Sequence, residues 1–123
     1  MKALLYESEI RVMECLWAMG DTPAAELVPI LEEQVGWNKN TTYTIIKKLI
    51  AKGYVERREP KFVCRPLITR EDVERAHAED LVDRLYGGSN LLFLSAFVKN
   101  QGLSKNDIDD LKSLIDSLAE EQE

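Results

Sequence analysis

The chemistry in this sequence is concentrated between Trp37 and Pro66. The stretch WNKNTTYTIIKKLIAKGYVERREPKFVCRP holds eight Lys/Arg (Lys39, Lys47, Lys48, Lys52, Arg57, Arg58, Lys61, Arg65) against two acids (Glu56, Glu59). That is a local charge of +6 in a 123-residue chain whose formal charge is −6. The flanks are acidic, with two bases and seven acids over residues 1–36 and six bases and thirteen acids over residues 67–123. A basic island between acidic ends suits a phosphate-bearing partner held on one face. Lys and Arg neutralise phosphates without reading sequence, while amide, hydroxyl and amine groups at helical spacing reach base edges. The candidate contact set for double-stranded DNA is Asn38, Asn40, Thr41, Tyr43, Thr44, Lys47, Lys48, Lys52, Arg57, Arg58 and Lys61. Asn40 suits an adenine edge. Thr44 and Tyr43 suit bases, thymine methyls or phosphates, and Lys47 suits guanine acceptors or backbone. Lys48, Lys52, Arg57, Arg58, Lys61 and Arg65 suit phosphates. A solvated basic face has the same composition, so the reading depends on the elements that carry these residues.

Those elements are a helix, a glycine stop and two short strands. Asn38 is a good N-cap, with Trp37 just outside it. Ile45, Ile46 and Leu49, with Thr42 one turn earlier, recur at helical spacing and define the buried side. Asn40, Tyr43, Thr44 and Lys47 then fall on the outward face or its flank. Gly53 stands where a positive φ ends the helix. Tyr54–Arg57 and Phe62–Arg65 are β-compatible and joined across Arg58-Glu59-Pro60-Lys61, where Pro60 suits a turn. This is the pattern of a recognition helix and wing.

Upstream, Ser8 is expected to cap a first helix running to Met19, with Ile10, Met13, Leu16 and Trp17 facing the core and Gly20 closing it. Thr22 is expected to cap a second helix with Pro23 in its first position, running to Gln34. Pro29 inside that helix predicts a bend or a loose second half. Downstream, Thr69 and Asp72 form a capping-box pattern before a helix that reaches about Tyr86. Gly87-Gly88-Ser89 marks a hinge. Asn90–Lys99 is nearly all apolar, and Ser104 caps a last helix whose Ile108, Leu111, Leu114, Ile115 and Leu118 share a face. The tail AEEQE is expected to fray. The fold class expected is mostly α with a small two- to three-stranded wing: a winged helix-turn-helix domain over 1–68, then a three-helix domain over 69–123. The second part is too small to bury its own apolar face, so a homodimer is expected, through Leu91, Leu92, Leu94, Phe97, Val98, Leu111, Leu114 and Ile115.

Other chemistry is thin. Cys15 reads as core, and Cys64, in the wing, as partly exposed. Two separated cysteines and one histidine, His77, leave no metal set and no nucleophile–base pair, and no cofactor is expected. Glu79-Asp80 and Asp109-Asp110 lie on solvated helix faces. No stretch has the roughly 18 apolar residues of a membrane helix, and MKALLYESEI has no signal-peptide core, so a cytoplasmic protein without a membrane partner is expected. An enzyme is thereby disfavoured. The remaining alternative to a DNA binder is a winged-helix protein-interaction module without DNA binding.

The order and spacing of these motifs resemble the BlaI/MecI family of penicillinase repressors. Ser8-Glu9-Ile10-Arg11-Val12-Met13 with Leu16-Trp17 resembles its first helix. Trp37 followed by Thr41, Thr44, Leu49 and Lys52-Gly53 resembles its recognition-helix signature. Gly87-Gly88-Ser89, Leu94, Phe97, Leu103-Ser104 and Ile108 to Leu111 resemble its C-terminal half. The resemblance implies a dimeric repressor on a palindromic operator, released by a signal. In β-lactam-responsive members that signal is proteolysis by a regulatory protease at an Asn-Phe bond. Phe97 matches the Phe, and Ala96 departs from the Asn, so Ala96-Phe97 is the corresponding cleavage position. Copper-responsive members carry a C-terminal cysteine cluster, and this chain has no cysteine after Cys64. Asn38-Lys39-Asn40, Tyr43 and Lys48 also depart from the family pattern, which implies a different operator.

Overall fold

The computed structural model describes residues 3–122. Its elements are α1 (Glu7–Met19), β1 (Thr22–Pro23), α2 (Ala24–Val35), α3 (Lys39–Ala51), β2 (Val55–Arg58), β3 (Val63–Pro66), α4 (Arg70–Leu85), α5 (Asn90–Asn100) and α6 (Lys105–Glu121). The chain divides into two compact units, Met1–Glu79 and Asp80–Glu123. The fold is mostly helical, with a small β wing and C-terminal helices.

The first unit is a winged helix-turn-helix. Its core draws Val12, Met13 and Leu16 from α1, Leu27 and Leu31 from α2, and Ile46 and Leu49 from α3, all fully buried. Each such side chain contributes about 1.5–3 kcal/mol through removal from water. Val55 of β2 and Cys64 of β3 close the core from the wing side. Three strands form an antiparallel sheet in the order β1-β3-β2. In its register Thr22 pairs with Cys64, and Arg57 pairs with the same Cys64 from the other side.

Several expectations change at this level. The first helix starts one residue before Ser8, with Tyr6 as N-cap. The Tyr6 N–H donates to Glu9 Oε1 at 2.8 Å. Thr22 does not cap α2. It enters β1, and its hydroxyl donates to the Gly20 carbonyl at 2.8 Å. Pro23 is the N-cap residue rather than the first helical residue, and the Ala24 N–H donates to the Phe62 carbonyl at 2.9 Å. Helix α2 continues through Pro29, which is exposed, and Leu31 beyond it is fully buried. The missing N–H thus falls on the solvent side, where water can serve the unpaired carbonyl. Cys64 is fully buried rather than partly exposed, because β3 is the middle strand.

The break between units falls at residues 79 and 80 rather than at 68 and 69, inside α4. The reason is packing: Val73 and Ala76 are buried with the core of the first unit. The Trp17 indole N–H donates to the Ile68 carbonyl at 2.9 Å, and the Leu5 N–H donates to His77 Nε2 at 3.1 Å. The expected box at the start of α4 is present, with Asp72 N–H on Thr69 Oγ1 and Thr69 N–H on Asp72 Oδ2, each at 3.0 Å.

In the second unit Ser89 caps α5 through the Leu92 N–H at 3.0 Å, and Ser104 caps α6 through the Asp107 N–H at 3.1 Å. Tyr86, Phe93 and Phe97 make a chain of ring contacts at 5.3 and 5.8 Å. Neither α5 nor α6 has a buried residue. Helix α6 extends to Glu121, well into the acidic tail expected to fray, and Glu123 lies outside the described residues.

Candidate nucleic-acid interface

Helix α3 is built as the sequence pattern requires. The Asn38 carboxamide oxygen accepts the Thr41 N–H at 2.8 Å, which satisfies a donor that the helix start leaves open. Thr42, Ile45, Ile46 and Leu49 are its buried residues. Gly53 has φ +82°, a left-handed conformation in which a Cβ is costly. With one side committed to the core, the other presents Lys39, Asn40, Thr44, Lys47 and Lys48 to solvent. The Thr44 hydroxyl donates to the Asn40 carbonyl at 2.8 Å, so its methyl and its oxygen lone pairs remain for a partner.

The wing follows one residue later than expected on both strands, and the turn between them spans Glu59–Phe62. Lys61 and Phe62 have φ of +73° and +50°, and neither is glycine, which is why residue type alone misplaced the turn. Phe62 is the residue that sequence reasoning overlooked. Its ring meets Tyr43 of α3 edge-on at 5.7 Å, and the Arg57 guanidinium lies 3.8 Å from its centroid. Tyr43 is therefore half-buried against the wing, on the flank of the outward face, with Lys39 Nζ 6.0 Å from its ring. Lys39, a member of the basic island outside the candidate contact set, is exposed in the first turn of α3 beside Asn40.

Three expected phosphate ligands already hold acids. Lys52 Nζ sits 2.7 and 2.9 Å from the two carboxylate oxygens of Glu9, which is 1% exposed, and 4.8 Å from the Tyr6 ring. Lys52 therefore ties the end of α3 to α1 instead of standing free. Arg57 Nε lies 2.6 Å from Glu59 Oε1, and Arg58 Nε lies 3.3 Å from Glu56 Oε2. A signal for Arg58 and Glu56 was available, since residues two apart on a strand share a face, whereas Glu59 lies in the turn beyond β2. Nothing local marks Glu9 as the partner of Lys52. Lys39, Lys47, Lys48 and Lys61 enter no salt bridge among the described residues.

Burial pushes the Cys64 thiol up to about 11. Burial, then the nearby Glu14 charge, raises Cys15. The Arg57 hydrogen bond and then the Phe62 N–H hold Glu59 below its ordinary value. The described residues gather no cluster of three or more His, Cys, Asp and Glu side chains able to hold a metal. Among them no helix is long and apolar enough to cross a membrane.

A capped helix with a polar outer face, set against a three-stranded wing, defines the winged helix-turn-helix class. The chain belongs to the penicillinase repressor family, whose sequence profile matches residues 5–117. That family is one of transcriptional repressors and not of enzymes. The chain is 26% identical to the methicillin resistance regulatory protein MecI of Staphylococcus aureus (strain N315) over 111 residues, 88% of this chain and 89% of that protein. It is 24% identical to the penicillinase repressor of Bacillus licheniformis over 112 residues, 89% of this chain and 88% of that one. In fold it is similar to the solution structure of the DNA-binding domain of the repressor BlaI, with a TM-score of 0.54 and 24% identity over 58% of this chain and 90% of that domain.

Proposed function

We propose that the chain is a dimeric DNA-binding repressor that occupies a palindromic operator, with α3 of each copy in a major groove and the wing against the backbone. The observation that carries this reading is the outer side of α3. Asn40, Lys47 and Lys48 are exposed there, with Lys39 beside them, on a helix whose inner side is fixed in the core. The relatives' names support a repressor, and the likeness in fold to a DNA-binding domain supports a DNA partner. Leu91, Leu92, Leu94, Phe97, Val98, Leu114 and Ile115 are all exposed in the single chain, and Leu111 is half-buried. A second copy covering them is the simplest way to remove that apolar surface from water, and it spaces two recognition helices for two half-sites. Release by a signal belongs to this reading. The Ala96–Phe97 bond lies inside α5, so a protease would cut it only where that helix unwinds.

The magnitude is set by the unpaired cations. Within the basic island four exposed cations per chain (Lys39, Lys47, Lys48, Lys61) enter no salt bridge among the described residues, and the eight phosphate contacts they make per dimer give a slope of about −7 for log affinity against log salt. The test is a mobility shift on the DNA upstream of the chain's own gene, followed by footprinting. A salt-sensitive complex of two chains per duplex is expected. Asn40→Ala and Lys47→Ala should relax base preference, and Lys61→Ala should weaken all sequences alike. No complex at low salt would refute the reading and favour a protein-interaction module instead.

A further inference from the structure

The wing carries an acid where a DNA-facing surface gains nothing obvious from one. Glu59 heads the turn between β2 and β3, with its side chain 61% exposed. It is not idle: Oε1 lies 2.6 Å from Arg57 Nε, and Oε2 accepts the Phe62 N–H at 3.4 Å. Arg57 is held from a second side, because its guanidinium lies 3.8 Å from the centroid of the Phe62 ring. Phe62 is in turn anchored, through its ring on Tyr43 and its carbonyl on the Ala24 N–H.

We infer that Glu59 is a charge gate on the wing: by pairing with Arg57 it withholds that guanidinium from DNA phosphates and keeps the sequence-independent part of binding low. The inference rests on the DNA-binding reading above and assigns a role to one residue of that interface. Its physics is simple. A phosphate approaching Arg57 meets a fixed carboxylate at almost the same distance, so the pair is nearly neutral towards it. The Arg57 hydrogen bond, followed by the Phe62 N–H, holds the Glu59 carboxyl below its ordinary value, so the carboxylate is ionised throughout the neutral range. The pair is fixed by a ring stack and a backbone donor, and does not depend on two mobile side chains finding each other. Lys61, at the same turn and outside any salt bridge among the described residues, is then the wing's working cation.

The test uses the full chain and four forms of it: wild type, Glu59→Gln, Arg57→Ala and the double variant. Gln keeps one acceptor oxygen for the Phe62 N–H and removes the charge and the second acceptor that Arg57 uses. Affinity is measured against the footprinted operator and a random duplex of equal length, over a fourfold range of salt. Glu59→Gln should tighten binding to both duplexes and steepen the salt slope by about 0.9 for each chain bound, which is about a 3.5-fold larger loss across that range. Arg57→Ala leaves the Glu59 carboxylate bare and should weaken binding to both duplexes, and it should cancel the whole gain in the Glu59→Gln background, so that the double variant returns to the wild-type slope. A slope unchanged by Glu59→Gln, or weaker binding, would overturn the gate. So would a double variant that keeps the Glu59→Gln gain. Proton exchange at Arg57 Nε in the free protein checks the pair without DNA: slow in wild type and fast in Glu59→Gln is the expected result, and equal rates would overturn the proposal. A wild type that binds neither duplex at low salt, with Arg57 Nε still protected, would leave the pair standing and refute the DNA reading together with the gate's role in it.

Discussion

Replacing Lys52 with Met separates two accounts of the same residue. As a phosphate ligand, Lys52 would contribute to affinity and salt dependence. As the partner of Glu9, it contributes to stability. Its Nζ lies 2.7 Å from a carboxylate that is only 1% exposed, while its own side chain is 35% exposed. Removing one member of a fully buried pair costs about 3–5 kcal/mol, because the other charge is stranded. Water reaches the lysine end here, so roughly half of that, about 2 kcal/mol, is expected. Met preserves the aliphatic stem and most of the packing against Tyr6. In urea, with a slope of about 1 kcal/mol per molar for a unit of this size, the midpoint should fall by about 2 M. Tryptophan emission follows it, since Trp17 and Trp37 both lie in the first unit. Adding Glu9→Gln should restore much of the loss, because the amide oxygen can still take the Tyr6 N–H and no charge remains buried. The salt slope for DNA should not move. An unchanged midpoint with a slope flatter by about 0.9 per chain would refute this account and return Lys52 to the phosphates.

Three further outcomes are expected. Thr42 Oγ1 is buried without a hydrogen-bond partner among the described residues, so the near-isosteric Thr42→Val should raise stability by about 1 kcal/mol in the same titration, and a loss would point to an unseen partner. The folded chain keeps the Cys64 thiol proton up to about 11, while an ordinary thiol releases it near 9.0. The stabilisation from this difference is complete below about pH 9 and disappears as the pH rises through 11, a phase that Cys64→Ala should lack in pH-dependent denaturation. At pH 8 that thiol should also alkylate about a hundredfold more slowly than in urea. Phe97→Asp should convert the dimer to a monomer by sedimentation and weaken operator binding, and a monomer with wild-type affinity would exclude the proposed dimer contact.

Helix α3 was readable from end to end because each signal was local: Asn38 as cap, a buried face at four positions, Gly53 as stop. The wing was readable as two strands and a turn, but its register was not, because the positive φ values fall on Lys61 and Phe62 and no residue type announces them. Strand β1 was invisible, since two residues that look like a helix start are held as a strand by pairing with residues some forty positions away. Separations of 43 and 72 positions likewise hid Glu9 from Lys52 and His77 from Leu5. For the candidate site, the places of the basic residues on helix and wing were legible in the sequence and their ion pairing was not. Lys47 and Lys61 remain available, whereas Lys52, Arg57 and Arg58 are engaged, and engagement is a property of the fold.

The hydrogen bond from the Ala24 N–H to the Phe62 carbonyl has a use beyond holding the sheet. The amide belongs to the first turn of α2, where a helix supplies no internal acceptor, and its acceptor sits at the far turn of the wing. Its exchange with deuterated solvent is therefore governed by opening of the wing rather than by fraying of α2. Neighbouring amides deeper in α2 keep time for the helix, and Ala24 keeps time for the wing. One backbone resonance, untouched by side-chain substitution, would record how often the wing lifts and whether a bound duplex holds it down.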